Sequence, residues 1–255
     1  MNIELGTASV VTLLLASIRI TAWLAVAPPF ATGGVPRTVR VMLGVGLALA
    51  VSTSARAHAP AAEIGPLVTS AFEQLLIGAS LGFLTRLLFS AVEAAGALID
   101  LTGGFSLAFA YDPLSASTTS VFGKFYGLLT TTLIFATNAH LVILQGFLRT
   151  FSSLPLDGTM SLAHLDTELV HGLTAMFIAA LQIAAPLIAV LFLADVALGL
   201  LSRISPQLNV FQVSFPLKIM LTLGLVGLGF ATMPRIVTQL AGTAASLMVR
   251  IGTAG

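Results

Sequence analysis

The sequence predicts an all-α integral membrane protein built from long apolar helices. Three observations carry that expectation. Of the 255 residues, 57% are hydrophobic and only 8% are charged, against roughly 25% charged in an ordinary soluble domain. The mean hydropathy is +1.03. Apolar stretches long enough to span a bilayer follow one another, punctuated by proline and glycine. So little charge cannot cover the surface of a water-soluble fold, so lipid or other apolar helices must be the solvent for much of the chain.

The elements follow in order. A span needs about 20 mostly apolar residues at 1.5 Å of rise each. The first is expected from Leu5 to Ala27, ended by Pro28-Pro29. Met1-Asn2-Ile3-Glu4 lacks a positive n-region and Arg19 interrupts the apolar run, so this segment is expected to be retained despite the A-x-A look of Ala25-Val26-Ala27. A loop at Thr32 to Pro36 leads to a second helix, Val39 to Ala55. The third, Pro66 to Thr102, meets no breaker and would be on the order of 54 Å long, against a hydrocarbon core of about 30 Å. Gly103-Gly104 end it. A fourth helix is expected from Val121 to Phe147, making a long hairpin with the third. Pro155 and Asp157-Gly158 mark a loop. A fifth helix, Asp166 to Leu201, again exceeds one crossing, with a kink at Pro186 and Asp195 buried near its end. Ser205-Pro206 to Pro216 reads as a proline-bounded connection, Leu217 to Thr232 as a sixth helix, and Arg235 to Arg250 as a last one. Arginines mark both ends of the bundle (Arg37, Arg40, Arg56, Arg149), so the positive-inside rule gives no orientation.

Several function classes are disfavoured at once. A net charge of +1 offers no basic field for nucleic acid. The absence of cysteine removes disulfides, thiolate metal sites and cysteine nucleophiles. No phosphate loop, dinucleotide turn, H-E-x-x-H or G-x-S-x-G occurs. Glu168-x-x-His171 has di-metal spacing without a second copy, and reads better as a solvated helix start. His140 reads as a polar residue bonded to a neighbouring helix, with a proton relay as the less favoured alternative. Asp100 and Asp195 are candidates for an intramembrane aspartyl pair, though pairing with an arginine explains each equally well. A small-solute transporter would show repeated halves of discontinuous helices, and no such repeat is found. No cofactor, metal or catalytic site is expected, and the chain is not read as an enzyme.

Two features remain. Arg86, Glu93 and Asp100 are spaced seven apart, nearly two helical turns, and so share one stripe of the third helix. Lipid would penalise such a stripe, so it should face protein or a wet channel. Gly78 and Gly82 allow a close helix neighbour. The second feature is the linker at 103–120. Gly103-Gly104 lead into Phe105-Ser106-Leu107-Ala108-Phe109-Ala110-Tyr111-Asp112-Pro113 and then a hydroxyl run from Ser115 to Ser120. An ordinary turn is short and polar. This one is long, and apolar where it leaves the helix. Irregular backbone at membrane depth is tolerated where protein buries it or it lines a cavity, and apolar constrictions close pores. The linker is therefore expected to plug a channel.

The run Arg203-Ile204-Ser205-Pro206-Gln207-Leu208-Asn209-Val210-Phe211-Gln212-Val213-Ser214-Phe215-Pro216-Leu217-Lys218 closely resembles the C-terminal signature of the FliR/SctT family of type III secretion export-gate proteins. Arg19 before Pro28-Pro29-Phe30, Gly78 to Phe83, Ala94 to Asp100, Asp112-Pro113, His140-Leu141 and Phe151 to Pro155 follow in family order. The resemblance covers nearly the whole chain, and its Pro-Gln-Leu-Asn-Val-Phe run favours the flagellar branch over the virulence branch.

The resemblance implies long helical hairpins in a helical assembly with FliP-like and FliQ-like subunits, with a non-standard membrane topology. It implies one export-gate domain over 1–255, with a FliP-like part over about 1–200 and a FliQ-like C-terminal hairpin over about 201–255. FlhA-like and FlhB-like proteins would be neighbours, in the basal body of the bacterial inner membrane. Unfolded flagellar subunits would pass through. On this reading Phe105, Leu107, Phe109 and Tyr111 form the apolar seal. Gly103 and Gly104 turn the backbone into the lumen, and Asp112-Pro113 fix the turn. Arg86, Glu93 and Asp100 pair between subunits. Pro206, Gln207, Asn209, Phe211, Pro216 and Lys218 pack the FliQ-like end.

Overall fold

The computed structural model describes residues 6–31, 33–55, 63–105, 120–158, 162–205, 207 and 209–253. Among these residues there are α-helices and no strand. The helices are α1 (Thr7–Val26), α2 (Arg37–Ala55), α3 (Ile64–Gly103), α4 (Val121–Ala136), α5 (Ala139–Ser153), α6 (Leu162–Ile204), α7 (Val210–Gly229) and α8 (Met233–Thr253). Four helices are long and apolar enough to cross a membrane: α1, α3, α6 and α7. The bent pair α4–α5 would make a fifth, broken span. The chain is thus an all-α membrane protein.

Two compact units share the chain. The first comprises Met1–Leu88, Ile134–Thr174 and Thr238–Gly255, and the second Phe89–Leu133 and Ala175–Val237. The over-length helices α3 and α6, of 40 and 43 residues, each contribute to both.

In the first unit α1 is the central element. Leu15, Ala16, Arg19, Ile20, Trp23 and Leu24 are all buried, a repeat of four with its neighbour that wraps one helix face. Glycines of α3 bring its backbone onto that face. A Cβ at Gly78 would collide with the Arg19 carbonyl oxygen, and one at Gly82 would lie 3.0 Å from the Trp23 carbonyl oxygen. The close neighbour expected from this glycine pair is α1. Trp23 stacks on Phe147 of α5, with centroids 4.3 Å apart and planes 14° from parallel. Gly146 gives α8 the same access, since a Cβ there would sit 2.5 Å from Ala245.

In the second unit α3 and α4 meet along a glycine seam. A Cβ at Gly96 would stand 2.5 Å from the Phe122 carbonyl oxygen and 2.6 Å from the Gly123 nitrogen. Phe125 of α4 packs on Phe230, just past α7, at 5.5 Å.

Three expectations about elements fail. The single helix from Val121 to Phe147 is two, bent by 77°. The break lies at Thr137-Asn138, where Asn138 takes φ 58°, a left-handed conformation that asparagine tolerates better than most residues. His140 Nδ1 lies 3.3 Å from the Ile134 carbonyl oxygen, freed at the break, so this histidine serves the bend. The proline-bounded connection up to Pro216 is also wrong. Helix α7 starts at Val210 and runs through Pro216, since a membrane helix can carry one lost ladder bond. Asp195 is not buried: its side chain is 49% exposed in this chain and pairs with Lys218 of α7 at 2.6 Å.

The root of the 103–120 linker and the polar anchors

Helix α3 ends at Gly103 because the next residue, Gly104, has φ +84°, a region open to glycine at little cost. Both are packed. A Cβ at Gly103 would stand 2.7 Å from the Thr222 hydroxyl of α7, and one at Gly104 would lie 3.7 Å from the Phe215 ring. Thr222 is fully buried and donates its hydroxyl proton to the Lys218 carbonyl oxygen at 2.7 Å. Phe105 then meets Phe122 of α4 edge to face, with centroids 5.0 Å apart and planes at 89°. The first aromatic of the linker is therefore held on its own chain. Leu107, Phe109, Tyr111, Asp112 and Pro113 lie outside the described residues.

The far end of the linker is tied to the near end. Ser120 is the N-cap of α4: its hydroxyl oxygen accepts the Gly123 N–H at 2.8 Å, the capping bond expected of serine at this position. The same hydroxyl donates to the carboxylate of Asp100. Asp100 also accepts the Phe122 N–H at 3.1 Å. One buried carboxylate, less than one turn before Gly103, thus satisfies a free amide of α4 and fixes its cap. The two ends of the linker are clamped together.

That geometry changes the reading of the charge stripe. Arg86 and Glu93 are exposed, whereas Asp100 is only 3% exposed and spent within the chain. Glu93 also lies over Gly127, where a Cβ would be 2.8 Å from its carboxylate oxygen. Of the C-terminal motif, Pro206 lies outside the described residues. Gln207 and Asn209 precede α7 and are exposed, Phe211 falls in its first turn, and Pro216 and Lys218 are on the helix. Lys218 is engaged by Asp195 through both carboxylate oxygens. Asp100 and Asp195 thus have separate partners, and neither is an arginine.

Two anchors of the first unit were not legible as such. Arg19 is completely buried. It donates from Nε to the Gln74 amide oxygen of α3 and from Nη1 to the Leu154 carbonyl at 2.8 Å. A third, longer bond reaches the Pro155 carbonyl at 3.4 Å. Its guanidinium carbon lies 4.5 Å over the Phe151 ring. Gln74 in turn donates to the Leu156 carbonyl at 3.2 Å. The planar fork of arginine suits this arrangement, in which one cation satisfies the carbonyls of an irregular turn. The second anchor corrects the reading of Glu168 as a solvated helix start. Helix α6 begins earlier, at Leu162, and Glu168 is buried, bonded at 2.9 Å to Arg250 of α8. His171 stands 3.8 Å from the same oxygen. Signals for the missed residues existed: a serine just before an apolar helix, and the Gly123-x-x-x-Gly127 spacing that mirrors Gly78 and Gly82.

Comparison with known proteins places this architecture. The sequence pattern of the family "Bacterial export proteins, family 1" matches residues 10–244. The flagellar biosynthetic protein FliR of Bacillus subtilis is 35% identical over 213 residues, 81% of each chain. FliR of Escherichia coli is 33% identical over 219 residues, 86% of this chain and 83% of its own. The surface presentation of antigens protein SpaR of Shigella flexneri is 30% identical over 155 residues, 61% of this chain and 60% of its own. With the family pattern spanning most of its length, this chain belongs to the bacterial export proteins, family 1.

Proposed function

We propose that the chain is a structural and gating subunit of a flagellar type III protein export channel, and that its 103–120 linker closes the pore. The observation that carries the gating part is the clamped root: an apolar linker whose two ends are fixed by Asp100, Ser120, Gly103 and Gly104. A fixed root lets a linker hold one position across a passage without support at its tip. Phe105, Leu107, Phe109 and Tyr111 supply the apolar seal on this reading, and Asp112-Pro113 its turn. The linker works by excluding water and ions, and the chain performs no catalysis. Energy and substrate choice come from other components.

The same reading makes residues up to about 200 the FliP-like part and the remainder the FliQ-like hairpin. FliP-like and FliQ-like subunits are the immediate neighbours, FlhB-like and FlhA-like proteins adjoin them, and the assembly lies in the inner membrane at the flagellar basal body. Arg86 and Glu93, exposed on α3, keep the inter-subunit pairing role. Asp100 gives it up for the clamp. The similarity to SpaR favours a second reading, a virulence secretion subunit, but it extends over less of the chain than the FliR matches. Complementation separates them. Expression in a flagellated host lacking FliR should restore secretion of flagellar subunits and motility. Restoration of a virulence secretion system alone would overturn the flagellar assignment.

A further inference from the structure

Most helices of this chain expose apolar side chains. On α6, Phe192 and Leu193 are 63% and 64% exposed, and on α7 Met220 and Leu228 are 71% and 75% exposed. Surfaces of that kind suit lipid or apolar partner helices. Helix α8 is the reverse. It is not among the helices apolar enough to cross a membrane, and none of its described large apolar side chains is exposed. Over 238–251, Leu240, Ala241, Ala244, Leu247, Met248 and Ile251 are buried. The inner face meets the first unit at Gly146, at the Thr85 hydroxyl through Met248, and at Glu168 through Arg250. The opposite face presents Thr238, Gln239, Gly242 and Ser246, all exposed.

We infer that the 238–246 face of α8 borders a water-filled space in the assembled protein, and is covered by neither lipid nor a partner helix. The chemistry of the face selects the occupant. Ser246 donates to the Thr243 carbonyl at 2.8 Å and Thr243 to the Gln239 carbonyl at 3.1 Å. Their oxygens still carry lone pairs, and the exposed Gln239 amide carries donors, that hydrocarbon cannot satisfy. A partner helix would need a matching polar stripe with fixed geometry, whereas water satisfies such groups without one. An amphipathic helix with its apolar face spent on the core leaves its polar face to solvent. The inference does not depend on the linker acting as a plug.

The chain has no cysteine, so a single engineered thiol is unique within it. Gly242→Cys meets nothing within 4 Å, and Ser246→Cys is nearly isosteric. Each would be assembled with its export partners in native membrane vesicles opened to both sides and treated with a quaternary-ammonium methanethiosulfonate. Leu193→Cys on α6 is the apolar reference. Because the thiolate is the reacting species and forms in water, both α8 thiols should react at least about tenfold faster than the reference. Rates no faster than the reference, with normal labelling after detergent solubilisation, would show the face covered and overturn the inference. Ser246→Trp gives a second readout. A wetted wall accommodates the ring and the complex is recovered at the wild-type level, while loss of assembly would reveal a packed partner helix and also overturn it.

Discussion

Arg19 is the residue on which the first unit most depends for polar order. It reaches α3 through Gln74 and the turn after α5 through two carbonyls, the Gln74 and Leu154 bonds fully buried. Replacing it with methionine preserves bulk but orphans those acceptors, each costing about 1–3 kcal/mol. The expected loss of at least about 2 kcal/mol corresponds to a fall of about 4–8 °C in the melting temperature of the purified assembly. Lysine should recover little of it, because a point charge on a flexible stem cannot serve three acceptors in a plane. Asp100 acts in the same way for the linker. Asp100→Ala removes the acceptor of the Phe122 N–H and the partner of Ser120, a loss on the scale of about 1 kcal/mol for a helix cap. Patch or flux recordings should find a raised ion leak with export retained. Asp100→Asn keeps an acceptor and should leak less than alanine. Equal, wild-type tightness in both variants would remove the clamp from the account.

Glycine contacts decide how the elements approach, and they divide by what a new methyl group would strike. At Gly96 it would strike backbone of α4, and at Gly127 only the movable end of Glu93. Gly96→Ala should therefore cost about 1–3 kcal/mol by overpacking and lower the yield of assembled complex, while Gly127→Ala should assemble normally. Gly78 and Gly82 strike α1, and Gly82→Val should prevent folding of the first unit, read as loss of detergent-stable protein. The Gly78 and Gly82 contact was legible in the sequence because a four-residue glycine repeat has one physical use in an apolar helix. The excess length of α3 and α6 was legible too, since no breaker interrupts the one and Pro186 only interrupts the other without ending it. The bend at Thr137-Asn138 was not: neither residue forbids a helix, and the conformation follows from packing on both sides. Pro216 misled for the opposite reason, as a breaker in water is tolerated in an apolar helix.

At the scale of the whole molecule, α3 and α4 flank the 103–120 linker, and Asp100 and Ser120 join its two ends. The candidate site was half legible. Gly103-Gly104 and the apolar character of the linker stand in the sequence, and the structure adds the packing of both glycines and the clamp at Asp100 and Ser120. The bonds of Asp100 to Ser120 and Phe122 were not legible, because a seven-residue spacing places residues on one stripe without naming what that stripe meets. On the proposed function the linker seals an export passage. The measurement that tests it most directly is membrane conductance, together with export of flagellar subunits, in cells where residues 105–111 are deleted and FliP-type and FliQ-type partners are present. The membrane should become ion-leaky while export continues. A tight membrane with normal export would contradict the sealing role, and would leave the linker as the turn of a helical hairpin.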